Sequence, residues 1–139
     1  MEIAEWRRAG VNLVVSLPGR QEIRGLGLQR EAGFCQANGI EFISFPIPDH
    51  GVPRSGQDAT RLARFLADVM RGGRSIAIHC RMGIGRSSLI AACVLICCRV
   101  EAEEALALIT DARGLEIPET DEQRDWVRAF SLAVLTGPG

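Results

Sequence analysis

The chain has 139 residues, 47% of them hydrophobic, and a formal net charge of -1 at neutral pH. This length accommodates one globular domain with a full core, so we expect a single domain across residues 1–139. The near-zero net charge gives no electrostatic basis for binding nucleic acid or an anionic membrane surface.

The cysteines and the apolar runs indicate a soluble, cytoplasmic protein. The five cysteines are odd in number, and Cys93, Cys97 and Cys98 lie together in one apolar run, which favours reduced thiols over a disulfide framework. The first ten residues lack a signal-peptide pattern, and the run from Leu89 to Cys98 is shorter than the roughly 20 residues that cross a bilayer. The two histidines form no metal-ligand pattern, so we expect no metal or other cofactor. We also expect a monomer.

Predicted helices and strands alternate in the first half of the chain. Glu2–Ala9 is predicted as a short helix, and residues 19–24 are predicted as a polar loop. Two strands, Val11–Leu17 and Glu41–Phe45, flank a helix predicted over Leu26–Asn38, whose inner face carries Leu28, Ala32 and Cys35. Three prolines and a glycine exclude a regular element over residues 46–53.

The second half contains a strand before Cys80 and the longer predicted helices. Ser55 and Asp58 form a capping pattern that opens a helix through Met70, with Leu62, Phe65, Leu66 and Val69 inward and Gly72-Gly73 after it. Later helices are predicted over Glu101–Arg113, with Ala105, Leu108 and Ile109 inward, and from Thr120, with Trp126, Val127, Phe130 and Val134 inward. The alternation predicts an α/β fold with a mainly parallel sheet and helices on both faces.

The clearest functional pattern is a strand, a glycine-containing loop and an apolar helix in direct succession. It spans His79-Cys80-Arg81-Met82-Gly83-Ile84-Gly85-Arg86-Ser87. Such a loop presents backbone N–H groups and the positive end of a helix dipole, and both favour phosphate. The thiol of Cys80 and the guanidinium of Arg86 add a nucleophile and an anion clamp to the same cradle.

The separation of Cys80 and Arg86 is weak support by itself, because the chain repeats this CX5R spacing. Cys93 and Arg99 have the same separation but lie in an apolar run without glycine, where a helix already uses the backbone N–H groups. The strand, the glycines and the helix around Cys80 therefore carry the argument.

Hydrolysis of a phosphomonoester needs a nucleophile, stabilisation of the phosphoryl oxygens and an acid for the leaving group. The loop amides, the helix dipole and Arg86 would lower the pKa of the Cys80 thiol from about 8.5 into a range of roughly 3.5–7.5. Arg86 offers a planar fork for two oxygens, and Ser87 can donate to the departing sulfur. Asp49 is the best candidate acid, because it follows a predicted strand at the edge where the sites of parallel sheets gather.

Together with Ile47-Pro48-Asp49, these residues resemble the cysteine-dependent protein tyrosine phosphatase superfamily. The short chain and the late Glu119-Thr120-Asp121-Glu122-Gln123 are similar to small atypical dual-specificity phosphatases of the dual specificity phosphatase 23 type and their bacterial relatives. The resemblance covers nearly the whole chain in order. It implies a protein tyrosine phosphatase-like fold and phosphorylated proteins or peptides as substrates.

The resemblance also implies a two-step reaction. Cys80 attacks phosphorus while Asp49 protonates the leaving group, and Asp49 then activates a water that Gln123 positions. Ser87 eases departure of the thiolate, and His79 tunes it. The phosphate would be bound by Arg81, Met82, Gly83, Ile84, Gly85 and Arg86.

Several alternatives stay open. Gln123 can be only the capping partner of Thr120, His79 can be a buried scaffold residue, and Cys93 and its neighbours can be core residues or a redox partner of Cys80. At the level of function, the alternatives are a catalytically idle phosphate-binding module and an arsenate reductase-like enzyme. The pairing of Cys80 with Asp49 favours the phosphatase.

Two features depart from the resemblance. Relatives begin with one or two strands before the first helix, so we expect an incomplete sheet edge or a truncated start in this chain. The chain also contains no tyrosine, and it lacks an aromatic recognition loop, so we do not expect deep selectivity for phosphotyrosine.

Overall fold

The computed structural model describes residues 8–25, 30–48, 51–79, 85–113 and 120–136. Within these ranges three strands form one sheet: β1 Val11–Ser16, β2 Glu41–Ser44 and β3 Ser75–His79. Six helices accompany them: α1 Arg20–Gly25, α2 Glu31–Ala37, α3 Gly56–Arg71, α4 Gly85–Cys97, α5 Ala102–Arg113 and α6 Asp121–Thr136. The strands lie in the order β2-β1-β3 and both neighbouring pairs are parallel, as the sequence predicts.

β1 lies at the centre of the sheet because its side chains are apolar on both faces. Leu13 and Val15 belong to a larger core on one face, where α3, α4, α5 and α6 pack. Val14 points to the opposite face and meets Cys35 of α2 and Ile40 in a smaller core. Helices therefore cover both faces of the sheet, which confirms the predicted α/β architecture.

α4 is the central helix of the larger core, and its sequence is apolar nearly all round because its neighbours enclose it. Cys93 is fully buried within α4, and burial raises the pKa of its thiol well above the ordinary value. Arg99 lies beyond the helix end with a positive φ of 71°. The second Cys–Arg pair therefore forms no anion cradle, as predicted.

The predicted helix boundaries are largely present. The Ser55 hydroxyl accepts a hydrogen bond from the Asp58 N–H at 3.1 Å and caps α3. Gly39 and Gly73 follow α2 and α3 with φ of 72° and 84°, a left-handed conformation that costs glycine little. No helix in the described ranges has the length and apolar character that a membrane crossing needs.

The prediction of a polar loop over residues 19–24 is wrong, because α1 forms there. The Gly19 N–H donates to the Glu22 carboxylate at 3.1 Å, and the Ile23 N–H donates to the Gly19 carbonyl at 3.0 Å. A glutamate at the third position of a helix caps its first turn in this way. The polar composition of this segment favoured a loop prediction, although Gly19 and Glu22 provide a capping signal for a helix.

Several helix faces differ from the predicted ones. Phe65 is 45% exposed, and Ala59, Ala63 and Ala67 take the inner face of α3 beside the predicted leucines. Small side chains allow α3 to approach the core closely, which leaves the large ring outside. In α5 Leu106 is buried whereas Leu108 is exposed.

In α2 the predicted inner residue Ala32 is exposed, and the buried residues are Glu31 and Cys35. A charged side chain thus takes an inner position, for a reason that the site explains below. Leu28, most of the predicted Glu2–Ala9 helix and the predicted break at residues 116–118 lie outside the described residues.

The packing of α3 predicts that replacing two adjacent residues by alanine will cost very different amounts of stability. Leu66→Ala removes a fully buried side chain and should lower the free energy of unfolding by about 2–5 kcal/mol. Phe65→Ala removes a half-exposed ring and should cost less than about 1 kcal/mol. Urea unfolding of both variants measures the difference, and equal losses would contradict the described orientation of α3.

Candidate active site

The segments that follow the three strands meet at one edge of the sheet. The Leu17 N–H donates to the His79 carbonyl at 3.0 Å, and the Ile47 N–H donates to the Leu17 carbonyl at 2.9 Å. His79 precedes Cys80 and Pro48 precedes Asp49, so the neighbours of both predicted reactive residues lie at this edge. Cys80, Asp49 and the loop residues Arg81 to Ile84 themselves lie outside the described residues.

The predicted clamp, Arg86, is a buried charge at the start of α4, with only 2% of the residue exposed. Its Nη1 donates to Glu22 Oε1 at 2.7 Å, and its Nη2 donates to Glu22 Oε2 at 2.9 Å. Nη1 also donates to the carbonyl oxygen of Ile47 at 3.0 Å. Two segments far from Arg86 in sequence therefore hold the plane of the guanidinium.

Glu22 is the residue of this site that the sequence analysis missed. The hydrogen bond from Arg86 lowers the pKa of the Glu22 carboxyl, against burial, which would raise it. The carboxylate thus carries the charge that a buried guanidinium needs as a partner. The available signal was its place three residues after Gly19, where a helix N-terminus uses a glutamate.

Ser87 follows Arg86 in the first turn of α4 and is also buried. Gly85 begins the helix, so the loop that the sequence predicts as a phosphate cradle ends at the N-terminus of α4. The first turn of a helix favours an anion there through its backbone N–H groups and its dipole. The described end of the predicted cradle, Gly85 and Arg86, therefore combines a helix N-terminus with a guanidinium.

His79, the residue before Cys80, is held by a carboxylate. Its Nε2 lies 2.9 Å from Oε1 of Glu31, whose side chain is only 6% exposed, while the imidazole itself is 21% exposed. This contact explains why α2 turns Glu31 inward. Nothing in the sequence pattern distinguishes Glu31 from an ordinary surface glutamate.

Gln123 connects α6 to the loop that contains Asp49. Its N–H donates to the Thr120 hydroxyl at 3.0 Å, and its Oε1 accepts from the Thr120 N–H at 3.4 Å, which is the predicted capping box. Its Nε2 donates to the carbonyl oxygen of Gly51 at 2.9 Å. The role of Gln123 in positioning water stays a prediction.

A pocket of about 310 Å³ opens beside the clamp. Its lining residues are Gly19, Glu22, Pro46, Ile47, Pro48 and Arg54. Because Glu22 and Ile47 both contact Arg86, this pocket leads to the buried guanidinium. The described ranges contain no group of three or more His, Cys, Asp or Glu side chains that is placed to hold a metal ion.

The sequence was compared with protein families. The model of a family described as a polymorphic toxin system DSP-PTPase phosphatase matches residues 2–99. This chain belongs to the DSP-PTPase phosphatase family. The resemblance to small atypical dual-specificity phosphatases is thereby confirmed.

Several curated relatives are similar to this chain over most of its length. Cyclin-dependent kinase inhibitor 3 of Rattus norvegicus is 29% identical over 91% of this chain and 60% of its own length. Protein tyrosine phosphatase domain-containing protein 1 of Danio rerio is 30% identical over 93% of this chain and 19% of its own length. Protein tyrosine phosphatase PRL-1 of Leishmania major is 30% identical over 80% of this chain and 67% of its own length. The chain thus spans less than two thirds of the first two relatives.

Solved structures show the same fold. Kinase-associated phosphatase, with serine in place of its catalytic cysteine, superposes with a TM-score of 0.88 at 24% identity, over 99% of this chain and 78% of that one. Tk-PTP in its active form has a TM-score of 0.81 at 27% identity, over 94% and 84% of the two chains. The predicted protein tyrosine phosphatase-like fold is confirmed.

In this DSP-PTPase phosphatase, the ion pair between buried Arg86 and partly exposed Glu22 predicts a pH-dependent loss of stability in Glu22→Gln. At neutral pH the variant leaves Arg86 buried without a counter-charge and should lose about 2–3 kcal/mol of unfolding free energy. Folding lowers the pKa of Glu22, so the contribution is complete above the ordinary value of 4.5 and declines as the pH falls through the lowered value. Urea unfolding should show that the difference in unfolding free energy between the wild type and Glu22→Gln is smaller in acid than at pH 7.

Glu41→Gln is the matched control for this measurement. Glu41 pairs with Arg74 at 3.2 Å, but both side chains are largely exposed, so its loss should cost no more than about 1 kcal/mol. If Glu22→Gln loses no more unfolding free energy at pH 7 than Glu41→Gln does, a stabilising role for the Glu22–Arg86 pair is excluded.

Proposed function

We propose that this chain hydrolyses phosphomonoesters through a cysteinyl-phosphate intermediate, with Cys80 as nucleophile, Arg86 as phosphate clamp and Asp49 as general acid and base. One observation carries the proposal: the Arg86 guanidinium is held by Glu22 and Ile47 at the start of α4, at the edge to which His79 and Pro48 lead. Membership of the phosphatase family supports the same chemistry.

The clamp supports phosphoryl chemistry because it is organised before any substrate binds. A guanidinium cannot lose its proton in a protein, and burying it is costly unless a partner compensates its charge. Glu22 provides that partner, and the Ile47 carbonyl fixes the tilt of the plane. A rigid cation beside the first turn of α4 stabilises phosphoryl oxygens without reorganising during the reaction.

The loop that carries Asp49 is anchored on both sides of it. Before Asp49, the Ile47 carbonyl accepts from Arg86; after it, the Gly51 carbonyl accepts from Gln123. The Gly51 N–H also donates to the Pro48 carbonyl at 2.8 Å, which closes a turn across the acid. These bonds support an acid presented at the same edge as the clamp.

In the proposed first step, the Cys80 thiolate forms a bond to phosphorus, and the bond to the leaving oxygen breaks as Asp49 transfers its proton to that oxygen. In the second step, Asp49 takes a proton from water, whose oxygen attacks phosphorus and releases the thiolate. Ser87 donates to the departing sulfur, and Gln123 orients the water. Inorganic phosphate and the free alcohol or phenol are the products.

The substrate class, setting and assembly are further parts of the proposal. Two relatives whose names contain protein tyrosine phosphatase support phosphorylated proteins or peptides as substrates. We do not expect deep selectivity for phosphotyrosine, since the sequence has no tyrosine or aromatic recognition loop. We infer that one domain acts as a monomer in the cytoplasm, without a metal.

Cys80→Ser should abolish turnover of an aryl phosphate, because a hydroxyl at neutral pH is a far weaker nucleophile than a thiolate. Cys98→Ser is the matched control and should keep turnover within about twofold, since Cys98 is a half-buried residue after α4. The assay measures phosphate release with a metal chelator present.

Three outcomes of this assay would contradict the proposal. Undiminished turnover in Cys80→Ser would exclude the nucleophile. Phosphate binding without turnover in the unmodified protein would indicate the idle binding module. Arsenate turnover with a thiol reductant, in place of phosphate release, would indicate the arsenate reductase-like alternative.

Asp49→Asn should lower kcat by about 100-fold, because general acid catalysis contributes 10²–10⁴-fold and the amide cannot transfer a proton. Inhibition by inorganic phosphate should change less than about threefold, since the clamp stays in place. The variant should also lose the decline of kcat at high pH that deprotonation of the acid causes. A pH profile of kcat with the wild-type shape would remove Asp49 from the reaction.

A further inference from the structure

A second buried carboxylate lies at the active-site edge and has no part in the proposed reaction. Glu31 is 5% exposed on α2, and its Oε1 lies 2.9 Å from Nε2 of His79. The next residue after His79 is Cys80. The contact joins two elements that are 48 residues apart, so it depends on the fold and not on local sequence.

Burying the charged Glu31 side chain is unfavourable, and packing of the core does not require a charge at this position. An apolar side chain of similar volume would fill an inner position of α2 more favourably than a carboxylate does. Glu31 also acts on Cys35, one turn further along α2, where burial first and the glutamate charge second raise the pKa of the thiol. We therefore attribute the buried position of Glu31 to its contact with His79.

His79 is held at two points. Its backbone carbonyl accepts from the Leu17 N–H at 3.0 Å, and its ring meets Glu31. An ionised carboxylate only accepts hydrogen bonds, so a hydrogen bond between Nε2 and Oε1 needs a proton on Nε2, and the contact orients the ring. The end of β3 that leads into Cys80 is thus restrained through both its backbone and its side chain.

We propose that Glu31 is a positioning residue that acts through His79 on the Cys80 nucleophile, which assigns to α2 a role in the reaction. The expected change in kcat rests on the proposed function. The expected change in the reactivity of the Cys80 thiol can be measured without turnover. Among the described residues, this edge also carries Glu22 of α1 and Arg86 of α4, which pair with each other, and Arg54, which lines the pocket beside them.

Glu31→Leu tests the proposal because it should lower the activity without lowering the stability. Replacing a buried carboxylate by an apolar side chain is often neutral or stabilising, so the free energy of unfolding should stay equal or rise. The kcat for an aryl phosphate should fall about tenfold with KM within about twofold, because a displaced nucleophile affects the reacting geometry and not ground-state binding. Glu31→Ala serves as a second variant without a bulky replacement.

Glu31→Gln provides the conservative rescue. The glutamine Oε1 still accepts from the imidazole Nε2–H, so kcat should stay within about threefold of the wild-type value. Gln36→Ala, at an exposed position of the same helix, should leave kcat unchanged and controls for nonspecific effects on α2. Equal kcat in all four variants and the wild type would overturn the proposal.

Alkylation of Cys80 by iodoacetate, located by mass spectrometry, separates this inference from the proposed function. Glu31→Leu should slow the alkylation at pH 6 about tenfold, and the same substitution in a His79→Gln background should add no further effect. Additive losses would show that Glu31 does not act through His79 and would overturn the inference. Coupled alkylation in a protein that hydrolyses no phosphomonoester would instead reject the proposed function and support Glu31 as a positioning residue.

Discussion

The ion pair between Arg86 and Glu22 is the interaction on which the active-site edge depends. A guanidinium keeps its charge at any relevant pH, so its burial requires a partner, and the carboxylate of α1 is that partner. The remaining contact to the Ile47 carbonyl ties the loop after β2 to the same group. The position of α1, the path of that loop and the start of α4 are therefore determined together by one buried charge.

A second glutamate, Glu31, makes a similar contact with the residue that precedes the predicted phosphate loop in sequence. The loop over residues 80–84 lies in sequence between His79 and Gly85-Arg86, and each of the two side chains is held by a glutamate from the segment between β1 and β2. Glu31 contacts His79, the residue before the proposed nucleophile, and Glu22 contacts Arg86, the proposed clamp. Both helices of that segment thus reach the site, and α2 also contributes Cys35 to the smaller core.

The sequence predicted the elements better than it predicted their faces. Strand periodicity, glycine stops and the capping pairs at Ser55 and Thr120 are local signals, and the structure contains them. Phe65 and Ala32 were assigned to inner faces because hydrophobicity was counted residue by residue. The observed faces follow from close packing, in which the alanines of α3 meet the core and a glutamate of α2 meets His79.

The sequence by itself determined the fold class and the family, and it predicted Arg86 as the clamp, because each depends on a local order of strand, glycine loop and helix. Only the tertiary structure identified Glu22 and Glu31. Their partners lie 64 and 48 residues away, and no spacing rule links a glutamate to a distant guanidinium or imidazole. The folded edge of the sheet brings these groups within hydrogen-bond distance, and the cost of burying an unpaired charge then makes the pairing necessary.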